Sequence, residues 1–237
     1  SSKALSFADD VSSASSASRA VSAASMPVLI ARWMPFRRMA FRKPADSPIE
    51  IYRHSSAHLL AAAVTELFPE AQCGIGPPTD DGFFYDFLVP RPFTPEDITA
   101  IEKKMAHIVK QNRPIEKKLL PKEEALALFA GKGQSLKCQL IEEKAGGQVQ
   151  CYTMGEFIDF CLGPHLPSTK EVKAFKLEPE PAAAYWKGKE GNPAMQRIYG
   201  YAFFTKEELD AHLHNLEEAK RRDHRRLGRE LDLFMFH

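Results

Sequence analysis

From Ser47 onward, apolar and polar positions fall into short periodic runs bounded by turn residues; before Ser47 they show no period that would bury a face. SPIE, residues 47–50, sets Ser47 three residues ahead of Glu50 with Pro48 at the first helical position. That capping-box pattern, followed by an apolar run, predicts a helix to Phe68 that stops at Pro69. TPED, residues 94–97, repeats the signal and predicts a helix from Pro95 to about Gln111. Between them GIGPPTDDGFFYDFLV reads as a Gly/Pro turn and then a strand-like aromatic run. Farther along, IEKKLL (115–120) predicts a strand and KEEALALFA (122–130) a short helix. SLKCQLI (135–141) and QVQCYTM (148–154) read as alternating strands on either side of an AGG turn. KAFKLE (173–178), AAAYWKG (182–188) and MQRIYGYAFF (195–204) predict three more strands. Thr205 with Glu208 forms a third capping box and opens a long terminal helix. Together these elements predict an α+β fold, an antiparallel sheet packed with helices.

Composition adds a boundary at the N-terminal side. Residues 1–45 are dominated by serine and alanine and then by arginines among apolars, with acids limited to Asp9 and Asp10 over the first 43 residues. This composition suits a disordered tail and also an organellar transit peptide, with Met26 as an internal start. The predicted organisation is therefore a tail over 1–45, one domain over 46–204 and a helix over 205–237. The chain has 237 residues, 44% of them hydrophobic, enough for a sizeable core. A net charge of +1 excludes a global pull toward nucleic acid, so any basic surface must be local, as in residues 220–229, where six Lys/Arg stand against one Asp. The cysteines Cys73, Cys138, Cys151 and Cys161 contain no CxxC pair and predict free thiols in a reducing compartment. No apolar run reaches the roughly 18 residues of a membrane span, so no membrane partner is expected.

Two stretches carry candidate chemistry. HSSAH, residues 54–58, puts His54 and His58 four apart at the head of an apolar helical run, on one face. Ser55 stands where the zincin pattern HExxH needs its glutamate, so that class is excluded. DFCLGPH, residues 159–165, puts Cys161 and His165 four apart around a Gly-Pro turn, with Asp159 on the face that Cys161 would share on a strand. HxxxH and CxxxH together make four potential zinc ligands. The same residues suit metal-free proton transfer, since histidine titrates near neutrality and a carboxylate can hold its tautomer. At this level the residues leave metal and no metal both open.

HSSAHLL, GFFYDF, LKCQLI, CLGPHLPST, AFKL, AYWKG, MQRIYGYAF and EEAKRRDHRRLGRELDLF occur in this order. Together they resemble the editing domain of threonyl-tRNA synthetases, shared in outline with alanyl-tRNA editing proteins, and the linker helix toward the catalytic core. The resemblance spans about residues 46–237, and the GPH form of the turn points to the threonyl branch. It implies hydrolysis of Ser-tRNA(Thr), a need set by physics: the methyl group that serine lacks is worth only about 1–3 kcal/mol of discrimination. It implies a site in which His54 and His58 come from the helix, Lys137 contacts the ester and helps position water, and Cys161 and His165 close the cluster. It places Tyr85 against the terminal adenosine, Tyr152 on the pocket wall, and Asp159 at the serine amine or hydroxyl. It implies that no cofactor is required, with zinc on His54, His58, Cys161 and His165 as the alternative drawn from the alanyl branch.

The chain departs from that family at both ends. Residues 1–45 are too short and serine-rich for the family's leading small domain, and the sequence stops at DLFMFH, where a catalytic core would start. Aminoacylation with ATP is therefore not expected of this chain. The expected partner is the acceptor end of a mischarged tRNA-Thr, with a synthetase core in cis or in trans, in the cytoplasm, or in an organelle if the tail is a transit peptide. The rival readings are a zinc-dependent Ser-tRNA(Ala) deacylase and a non-catalytic tRNA-binding fragment whose basic helix is the working part.

Overall fold

The computed structural model describes residues 47–222. The predicted tail over 1–45 and the end of the terminal helix lie outside the described residues. The first helix, α1 (Pro48–Leu67), begins as its sequence requires. Ser47 N–H donates to Glu50 Oε2 at 2.7 Å and Ser47 Oγ accepts from Glu50 N–H at 3.4 Å. Twelve of its residues from Tyr52 to Val64 are buried, including Ala61, Ala62 and Ala63. Their short side chains let the helix axis lie close against its neighbours. The second capping box holds α2 (Pro95–Gln111), through Thr94 and Asp97.

The fold is α+β, and its strands form two antiparallel sheets, whereas the sequence reading expects one. The larger sheet contains β1 (Gln72–Cys73), β2 (Gly82–Leu88), β6 (Ala174–Leu177), β7 (Ala182–Tyr185) and β8 (Ala194–Phe203). β8 is its spine, with β2 along one edge and β6 and β7 one after the other along the opposite edge. The smaller sheet runs β3 (Ile115–Pro121), β4 (Gln148–Met154), β5 (Phe157–Phe160). α1 packs against α2, β2 and β8 and reaches β5, so the main core of Leu59, Leu60, Phe83, Phe87, Ile101 and Ile198 lies beneath it. A second cluster, Ala125, Phe129, Ile141, Val149 and Cys151, joins α3 (Lys122–Gly131) to the other face of the smaller sheet.

One prediction fails in a way that matters below. SLKCQLI is not a strand; residues Ser135–Lys144 form a helix, α4. Its buried residues are Leu136, Lys137, Leu140 and Ile141, a helical stripe at i, i+1, i+4 and i+5. Leu136 and Leu140 also satisfy a two-residue alternation, so the short run fits both periods and only packing decides. β1 and β5 were not expected either; β5 is four residues whose side chains alternate between the two faces. The third capping box opens α5 (Lys206–Arg221) as predicted. Among the described residues no helix is long and apolar enough to cross a membrane.

A guanidinium and a hydroxyl tie α1 to the larger sheet: Arg53 Nε donates to Ala202 O at 3.2 Å. Tyr52 is buried, and its Oη accepts from the backbone N–H groups of Lys173 (2.8 Å) and Ala174 (3.0 Å). Tyr52→Phe leaves these donors unpaired, and a loss of about 1–3 kcal/mol in urea unfolding is expected. An unchanged midpoint would show that water replaces the hydroxyl.

Candidate active site

Two of α1's inward-facing residues are the histidines of HSSAH. His54 and His58 lie with ring centroids 5.1 Å apart, and the His165 ring stands 4.3 Å from each. His165 arrives on the loop after β5. Asp159 belongs to β5, and Cys161 extends that ladder by one bond, its N–H donating to Gln150 O at 3.2 Å. Cys161 Sγ lies 3.3 Å from Nε2 of His54 and 3.3 Å from Nε2 of His165. The two weak motifs therefore do meet. One ligand atom from each of His54, His58, Cys161 and His165 lies within 4.8 Å of all the others.

The loop owes its path to glycine. Gly163, in the left-handed region at φ +65°, donates its N–H to Cys161 Sγ at 3.3 Å. A Cβ there would stand 2.2 Å from Tyr152 Oη. Tyr152 in turn packs edge-on to His165, with centroids 4.4 Å apart, and so forms a wall of the cluster. Leu162, on the same loop, is 46% exposed.

Behind the histidines is a buried ion pair. Lys137 and Asp159 side chains are 3% and 2% exposed, with Nζ 2.6 Å from Oδ1. Tyr85 donates its hydroxyl to Asp159 Oδ2 at 2.5 Å and accepts from Lys137 Nζ at 3.1 Å. His58 Nδ1 lies 3.4 Å from the same Oδ2. Lys137 reaches this point from helix α4 and not from a strand. Its position also differs from the solvated one that a lysine usually takes. Tyr85 is 1% exposed, its hydroxyl is committed to Asp159 and its ring stacks on Phe87 at 5.0 Å. The resemblance implies a nucleoside against Tyr85; the structure buries that ring below the carboxylate, where it presents no open face. Asp159 likewise spends its oxygens on Lys137, Tyr85 and His58.

The surroundings keep His58, His165 and Cys161 uncharged. Burial lowers the His58 imidazole well below its ordinary range, with the charges of His54 and Lys137 acting the same way. Burial also lowers His165, helped by His58 and His54. Burial pushes the Cys161 thiol up to about 12, against the Gly163 N–H bond and with the Asp159 charge. Neutral imidazoles beside a protonated thiol can take a proton from water, but the thiol is not poised as a nucleophile.

A cavity of about 240 Å³ opens on the far side, lined by Glu66, Cys73, Lys132, Lys137 and Phe157 among others. Of the candidate residues it meets only Lys137, so it is not the histidine pocket. Three residues at the site escape the sequence reading. Cys73 is buried near Tyr85, its thiol also raised to about 12, chiefly by burial. Gln150 holds the loop by donating to Leu162 O at 2.6 Å. Ser55 lies between the two histidines and touches a third. Only Ser55 had a signal, its place inside HSSAH. His107 and His214 are exposed, whereas His212 is half-buried against Tyr201 and Phe203.

Residues 149–199, which contain Tyr152, Asp159, Cys161 and His165, match the family model for the threonyl and alanyl tRNA synthetase second additional domain. The chain carries the editing-type domain of these tRNA synthetases. It is 55% identical over 188 residues to a threonine–tRNA ligase of Pelobacter propionicus, covering 79% of this chain and 29% of that protein. Similar proteins named threonine–tRNA ligase come from Janthinobacterium sp. (strain Marseille), 53% identical, and Laribacter hongkongensis, 55% identical, covering 79% and 81% of this chain. The chain spans about 30% of the length of the curated relatives it matches.

Two outcomes follow for this editing-type domain. A histidine that is neutral when folded gives up stability once the unfolded chain can protonate. Stability should be full above about pH 6.5 and fall below it, by about 1.4 kcal/mol per pH unit for His58. His165 acts in the same direction. Urea unfolding at several pH values between 7.5 and 5.5 measures the slope; a flat profile would place the imidazoles in water. Lys137→Met leaves a buried carboxylate unpaired and should cost about 3–5 kcal/mol. Adding Asp159→Asn should recover part of that, and no recovery would show that the lysine acts by packing alone.

Proposed function

We propose that this domain hydrolyses the ester of mischarged Ser-tRNA(Thr), acting at the acceptor end of the tRNA. The observation that supports this most directly is the meeting of His54, His58 and His165, with burial holding His58 and His165 neutral and Tyr152 packed against His165. A neutral imidazole takes a proton from water as the water oxygen attacks the ester carbonyl. The bond to the ribose oxygen then breaks, and that oxygen leaves with the proton. Lys137 and Asp159 form the fixed floor that orients His58. The pocket's close walls at Gly163 and Tyr152 are where the extra methyl of threonine would meet resistance. In this reading no metal is required, and the domain works with a synthetase core in cis or in trans.

A second reading rests on the same cluster. His54, His58, Cys161 and His165 fit a zinc ion in number and type. His58 and His165 have their Nδ1 atoms beside Asp159 and Ser55, as metal-bound histidines usually have partners for the second nitrogen. Bound zinc would supply an acidified water in place of an imidazole-activated one.

The deciding assay is deacylation of preformed Ser-tRNA(Thr) by this chain, with and without a strong chelator. Hydrolysis that survives chelation is expected, with His54→Ala and His58→Ala each slowing it by about 10²–10⁴-fold. Loss on chelation would transfer the chemistry to zinc. Tight tRNA binding without hydrolysis would reduce the domain to a binding module.

A further inference from the structure

Ser55 is fully buried, at 0% exposure, and the hydrolytic step described above does not use it. Its Oγ has three polar neighbours: the Ile51 carbonyl oxygen at 2.8 Å, the Leu166 N–H at 2.9 Å and His165 Nδ1 at 3.3 Å. A hydroxyl brings one proton and two lone pairs. The proton lies on the line to Ile51 O, because two oxygens 2.8 Å apart with no proton between them would repel. The Leu166 N–H is a donor by nature and takes one lone pair. What remains for His165 Nδ1 is a lone pair, so Nδ1 must carry a proton. A neutral imidazole has only one N–H, which leaves Nε2 bare. Nε2 is the atom that lies 3.3 Å from Cys161 Sγ.

We propose that Ser55 is a positioning residue: it fixes His165 as the Nδ1–H tautomer and thereby leaves the Nε2 lone pair facing the cluster, toward Cys161 Sγ. Its consequence for catalysis rests on the hydrolase reading; the tautomer itself does not. Asp159 stands near the corresponding atom of His58, a carboxylate oxygen 3.4 Å from Nδ1. The assignment does not depend on what the cluster holds, because in either case Nε2 is the accepting nitrogen, toward the Cys161 thiol or toward a metal ion.

The test is histidine ¹⁵N–¹³C correlation NMR on the full chain at neutral pH, with His165 assigned by the loss of its signals in His165→Asn. Wild type should show His165 as the Nδ1–H tautomer. Ser55→Ala should move it toward Nε2–H while the remaining histidines keep their pattern. Deacylation of Ser-tRNA(Thr) by Ser55→Ala should fall in kcat by about 10–100-fold with KM unchanged, the usual effect of removing a partner that orients a histidine. Ser55→Thr keeps the hydroxyl and should restore both the tautomer and most of the rate. An Nε2–H tautomer in wild type, or an unchanged Nδ1–H tautomer in a folded Ser55→Ala, would overturn the proposal. If Ser55→Ala does not fold, the wild-type spectrum decides. If wild type shows the Nδ1–H tautomer without deacylating the tRNA, the hydrolase reading fails and the assignment stands.

Discussion

A carboxylate as deeply buried as Asp159 can stay charged only if its partners are in place, and three parts of the fold are arranged to supply them. Helix α4 brings Lys137, strand β2 brings Tyr85 and helix α1 brings His58. None of these contacts is local in sequence, so the pair can form only when both sheets and the long helix have assembled. Transferring an ion from water costs several kcal/mol, and the pair recovers this only through good geometry and further hydrogen bonds. The second contact of Lys137, with Tyr85, is of that kind. Such a pair is a poor source of net stability but a strict condition on arrangement. A slip of β5 by one residue would turn Asp159 to the opposite face of its sheet and strand Lys137.

The histidine pocket inherits its order from that floor. His58 lies against Asp159, and His165 is turned by Ser55 and walled by Tyr152. The imidazoles are neutral because they are buried and because each raises the cost of charging the next. This makes the cluster rich in lone pairs and poor in charge, a character that suits a proton acceptor and also a cation. The ambiguity between water and zinc is therefore a physical property of the arrangement. The thiol of Cys161 is the weakest candidate for covalent chemistry, since burial keeps its proton in place.

Much of this was legible in the chain. The three capping boxes are local, since each joins residues three apart, and they set the starts of α1, α2 and α5 correctly. HxxxH on a helix and CxxxH around a Gly-Pro turn are also local patterns, and they marked the four residues that the structure brings together. Tyr152, which packs on His165, and Asp159, which lies near His58, also belong to stretches singled out in the chain.

Other features depended on packing. SLKCQLI satisfies two periodicities at once, so only its neighbours could choose the helix that turns Lys137 inward. The division of the strands into two sheets, the burial of Tyr85 beneath Asp159 and the tautomer set by Ser55 all depend on partners far away in sequence. The sequence by itself determined which residues carry protons and where the helices begin, because those properties belong to single side chains and short intervals. The tertiary structure alone decided which nitrogen holds each proton and which charges are buried, because both depend on the atom that stands opposite.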